Sequence, residues 1–140
     1  MWNLDQLQQL IRDNVEESLS LEYKSAGAFA KSDGKRAEVV KDVSAFANSS
    51  GGVLIYGIAE FQQSENRHRP EKIDPVDRQE YPKEWLEQII QSIQPRIEGV
   101  RLNNIGTVLA RDYMVDRISY QRFNIGGQHS LFLLSKFRRA

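Results

Sequence analysis

Three glutamates and a lysine stand out as residues able to do chemistry together. Glu22 and Lys24 flank Tyr23 in "LEYK", a stretch that alternates apolar and polar residues with the period of a β-strand, so both point to one face of it. Glu17 lies five residues before Glu22, and Glu60 closes the next apolar run, "VLIYGIAE". Were the two strands neighbours, the carboxylates would converge. An oxygen-only set of that kind suits Mg²⁺ or Mn²⁺, and such an ion polarises a phosphodiester while Lys24 offsets the charge developing on its oxygens. The competing reading of Glu17, Glu22 and Glu60 is a solvated acidic face, the ordinary use of surface glutamates.

A second group is basic. Lys31, Lys35 and Arg36 surround the start of a predicted helix, where the macrodipole opposes positive charge and a docked phosphate would relieve it. The alternative is a solvated turn neutralised by Asp33 and Glu38. Asn48, Ser49 and Ser50 close that helix, and satisfying its backbone is their usual task. His68 and His129 lie in unrelated settings, and neither reads as a catalytic base. No G-x-x-x-x-G-K-[ST] loop is present, which leaves P-loop nucleotide hydrolysis without support.

The elements that must position these residues follow from periodicity. Leu4, Leu7, Leu10 and Ile11 give an amphipathic helix over 4–14 with Asn3 as N-cap, and Val39, Val40, Val43, Phe46 and Ala47 a second over 35–48. Gly51 and Gly52 stop the second helix and turn the chain into a strand at 53–59. Residues 60–82, with Pro70, Pro75 and Pro82, read as an exposed loop. Trp85, Leu86, Ile89, Ile90 and Ile93 form a third helix over 83–94, and "GTVLARDYMV", "RISYQRFNI" and "SLFLLSKF" have strand character, with Gly126-Gly127-Gln128 a possible hairpin turn. The expected class is α+β, a mixed sheet of about four to six strands flanked by three helices, with strands 21–25 and 53–59 adjacent.

The 140-residue chain has 19 basic and 19 acidic side chains and no cysteine. Zero net charge gives no general support to a nucleic-acid partner, but residues 111–140 carry Arg111, Arg117, Arg122, Lys136, Arg138 and Arg139 against Asp112 and Asp116. Any basic surface is therefore local. The absence of cysteine excludes disulfides, and no apolar run approaches a membrane span; the expectation is a cytoplasmic protein.

Taken in order, "ESLSLEYKS" (17–25), "VVKDVSAFANSSGGVLIYGIAE" (39–60) and "WLEQIIQSIQP" (85–95) resemble the Schlafen AlbA-type domain, formerly called divergent AAA or ATP-binding. The resemblance covers roughly residues 3–105, through Glu22-Tyr23-Lys24, Ala45-Phe46-Ala47-Asn48, Gly51-Gly52 and the strand after them. It implies a DNA-binding, transcription-regulating module over 1–110; the basic, strand-rich extension over 111–140 is read from composition and departs from the family pattern. The expected nucleic-acid contacts are Lys24, Lys31, Lys35, Arg36, Lys136, Arg138 and Arg139. In the Schlafen branch the domain also forms an RNA-cleaving core with a three-carboxylate site; Glu17, Glu22 and Glu60 stand at the matching places, with Lys24 beside them. That gives a second expectation, a metal-dependent endoribonuclease using Mg²⁺ or Mn²⁺, and a third is a homodimeric protein-interaction module. After Pro95 the family pattern fades to Tyr120-Gln121-Arg122, and no helix-turn-helix follows to read bases.

Overall fold

The computed structural model describes residues 2–48, 52–97, 99–106 and 129–136. Asn3 starts the first helix, α1 (Leu4–Arg12), by accepting from the Gln6 amide while Gln6 returns a bond to the Asn3 amide. β1 (Leu21–Lys24) follows, then a short 3₁₀ turn at Ala26–Ala28 and α2 (Asp33–Ala47). α2 begins two residues before the periodicity predicts, because the Ser32 hydroxyl caps it by accepting from the Lys35 amide at 3.3 Å.

The predicted strand 53–59 is two strands, β2 (Gly52–Tyr56) and β3 (Ile58–Glu60), divided at Gly57, whose φ of 124° is open to glycine. Gly52 has a φ of 140°, and a Cβ there would lie 2.6 Å from the Ser20 carbonyl oxygen. Gly51 lies outside the described residues. Within the proline-rich 60–82 segment, read from the sequence as loop, the structure has β4 (Pro70–Ile73) and β5 (Val76–Asp77). Pro70 is tolerated because it opens its strand. α3 (Lys83–Gln91), β6 (Val100–Gly106) and β7 (His129–Lys136) complete the order.

β1 runs parallel to β2, as expected of the 21–25 and 53–59 segments, with Tyr23 opposite Ile55 and Lys24 opposite Tyr56. β7 pairs antiparallel with β2, β5 and β6, so the segment assigned from sequence to an extension occupies the middle of a mixed five-stranded sheet. β3 and β4 form a separate two-stranded sheet. The other strands predicted at 107–125 and the turn at Gly126-Gly127 fall outside the described residues.

β2 and the centre of β7, Leu131–Leu134, are apolar without alternation because both of their faces are covered. Leu54, Tyr56, Phe132 and Leu134 face α2 and α3, meeting Val39, Val43, Phe46, Leu86 and Ile89. The alternate residues Ile55, Leu131 and Leu133 face α1, meeting Leu4, Leu7, Tyr23 and Ile58. Burial of each such side chain contributes about 1.5–3 kcal/mol. This α+β sandwich of helix, sheet and helix decides which functional side chains can meet.

Candidate functional site

β1 presents Tyr23 to the α1 side, and Glu17 lies against that side of the strand. The Glu17 carboxylate accepts from the Tyr23 amide at 2.9 Å, which also occupies a donor on the sheet's edge. Tyr23 is buried beneath, its hydroxyl donating to the Val15 carbonyl at 2.7 Å. Glu60 ends β3, where a register irregularity sets it opposite Pro70. The chain then leaves the hairpin and returns through a turn closed by the Arg69 amide donating to the Asn66 carbonyl at 3.2 Å. His68, in that turn, has a φ of 71°, a left-handed conformation uncommon for a residue with a side chain.

His68 is held there from two directions. The Glu17 amide donates to its carbonyl at 2.8 Å, and its Nδ1 lies 3.0 Å from Glu17 Oε2 and 3.8 Å from Glu60 Oε2. One ligand atom from each of Glu17, Glu60 and His68 lies within 4.8 Å of the others. Burial, then the hydrogen bond and charge of Glu17, pushes the Glu60 carboxyl from 4.5 up to about 7, against the opposing pull of His68. Burial together with the charges of Glu17 and Glu60 likewise pushes the Tyr23 phenol up to about 12. Near neutral pH Glu60 is therefore part protonated, and a divalent cation bound there would compete with that proton. Two carboxylates and an imidazole are donors suited to such an ion; the nitrogen ligand favours Mn²⁺ over Mg²⁺.

Glu22 is not in this group. One residue from Tyr23 along a strand, it leaves β1 on the opposite face and lies beside Lys24, whose ammonium is 3.3 Å from Glu22 Oε1 and 3.6 Å from Asp42 Oδ2. Burial would lower the Lys24 pKa, but Asp42 and Glu22 outweigh it and raise it. Beside them the Tyr56 hydroxyl is buried without a hydrogen-bond partner among the described residues, its pKa raised by burial, Asp42 and Glu22. The predicted carboxylate trio is therefore divided between the two faces of the sheet.

The predicted basic contacts also separate. Lys31 and Arg36 are exposed near the start of α2, while Lys35 is 3.4 Å from Glu38. Asn48 ends α2, its amide bonded to the Ser44 carbonyl, and lines a cavity of about 210 Å³ with Arg96 and Gln94. Lys136 belongs to β7; Arg138 and Arg139 lie outside the described residues. His68 is the member that sequence reasoning missed. No local signal marked it, because the strand that returns through its turn, Pro70–Ile73, carries Glu71 and Lys72 and reads as loop.

The Schlafen, AlbA_2 family model matches residues 17–123. That is more than half of the 140 residues, and the chain belongs to this family. Neither curated proteins nor solved structures gave a match. Among the described residues no helix is long and apolar enough to cross a membrane.

Proposed function

We propose that this member of the Schlafen AlbA_2 family binds nucleic acid, DNA or RNA, by its phosphodiester backbone at the Glu17, Glu60 and His68 group. The observation that carries the reading is the convergence of these side chains from three separate segments within 4.8 Å. Two carboxylates repel a phosphate unless a cation intervenes. A divalent ion on this donor set supplies that positive charge and polarises a phosphoryl oxygen when bound. Glu17 then serves two purposes, since the oxygen not bonded to Tyr23 orients the His68 ring. Fluorescence anisotropy with labelled DNA and RNA tests the reading: binding at low salt should strengthen with Mn²⁺ and weaken as salt rises. No binding to either polymer under those conditions would overturn it.

The same group favours a second reading, a metal-dependent endoribonuclease, because phosphodiester cleavage also uses carboxylate-held cations. In it Glu17, Glu60 and His68 hold the ion, while Glu22 and Lys24 stay engaged with Asp42 on the other face. Structured RNA incubated with Mn²⁺ should be cut by the native chain and spared by Glu60→Gln. Equal cleavage by both proteins, or by neither, removes this reading and leaves the binding one.

A further inference from the structure

We propose that Arg67 seats the nucleic-acid phosphate against the Glu17, Glu60 and His68 group, an assignment that rests on the binding reading above. A phosphate arriving at two carboxylates needs a protein cation to fix its orientation as well as any ion to neutralise it. Four described cations lie on or next to the elements of this face. Arg12 donates to Gln9 Oε1 at 2.6 and 3.1 Å. Arg69 is occupied by the Asn14 carbonyl at 3.2 Å and the Glu16 carboxylate at 3.6 Å. Lys72 pairs in register with Ala59, whose side chain alternates away from the buried Ile58.

Arg67 is exposed and has no partner among the described residues. It also directly precedes His68. The Arg69 amide to Asn66 carbonyl bond makes residues 66–69 a tight turn with Arg67 and His68 at its two central positions, and the positive φ of His68 is what a type II turn requires at the second. Glycine is the usual occupant of that position; histidine there accepts backbone strain, and strain of this kind persists where the surroundings impose it. The contacts that hold His68 to Glu17 therefore also fix the Arg67 backbone, whose Cα lies about 3.8 Å from that of His68 across a trans peptide. A planar guanidinium then presents a two-pronged donor to a phosphate beside the carboxylate pair.

The experiment measures anisotropy of a labelled single-stranded oligonucleotide with Mn²⁺ over a range of salt, for the native chain, Arg67→Gln and Arg67→Lys. Loss of one phosphate contact should weaken binding about tenfold at low salt and reduce the slope of log K against log salt by about 0.7. Arg67→Lys should restore the slope with only part of the affinity, since an ammonium keeps the charge without the fork. If the native chain binds while Arg67→Gln matches it in affinity and slope, the Arg67 assignment is overturned and the binding reading stands. If the native chain does not bind, the binding reading itself fails. Circular dichroism melting checks that the variants fold; should Arg67→Gln unfold, the contrast between native and Arg67→Lys affinity decides, and equality there also overturns the assignment.

Discussion

Replacing Glu60 by glutamine should make the metal-free protein more stable at pH 8 while disabling its candidate site. The folded-state pKa of Glu60 is about 7 against an ordinary 4.5, chiefly through burial and then through Glu17. The native state therefore retains a proton that the unfolded chain has released between those pH values, and stability falls as pH rises through that window. At 1.36 kcal/mol per pH unit the ceiling is about 3 kcal/mol. The side chain keeps 23% of its surface exposed, so solvent screening reduces the expected effect to about 1–2 kcal/mol. Glutamine resembles the protonated acid: Glu60→Gln should match the native chain near pH 5 and exceed it at pH 8. Urea unfolding in EDTA at both pH values measures this. A variant less stable than the native chain at pH 8, or offset equally at both pH values, would refute the argument from burial and the Glu17 charge.

Mn²⁺ at one hundred times its dissociation constant should stabilise the native chain by about 2.7 kcal/mol, visible as a rise in melting temperature at pH 7.5; an equal rise in Glu60→Gln would place the ion elsewhere. Tyr56→Phe removes a buried hydroxyl without a partner among the described residues, so the change should be neutral or stabilising by up to about 1 kcal/mol in urea unfolding. A loss larger than that would mean the hydroxyl is bonded in solution. Gly52→Ala forces a Cβ to 2.6 Å from a backbone oxygen at a φ of 140°, and should destabilise by more than about 2 kcal/mol, with the midpoint of denaturation falling accordingly.

The helices and the pairing of 21–24 with 52–56 were legible because each rests on local periodicity or on a cap. Asn3 declares the first helix start, and the alternation of Leu21 and Tyr23 with Glu22 and Lys24 declares a strand. The β3–β4 hairpin was not legible, since three-residue and four-residue strands separated by a charged loop give no periodic signal of their own. The place of β7 was hidden for a different reason. Its run "SLFLLSK" is that of a strand covered on both faces, but its partners are β2, β5 and β6, remote in sequence, and nothing local names them.

The division of the carboxylates turns on the same two-sided burial. If Tyr23 points to a core, Glu22 points away from it, and an open sheet would make that direction one solvent face on which Glu22, Lys24 and Glu60 could gather. Here α1 covers one side and α2 the other, so there are two cores and two rims. Glu17 and Glu60 act electrostatically on Tyr23 at the α1 rim, whereas Glu22 acts with Asp42 on Tyr56 at the α2 rim. Strand parity alone separates Glu22 from its expected companions, and no rotamer change carries a side chain through a sheet. The third donor at the α1 rim must then come from a loop crossing it. His68, held in a left-handed turn by the Glu17 amide, is the residue so delivered.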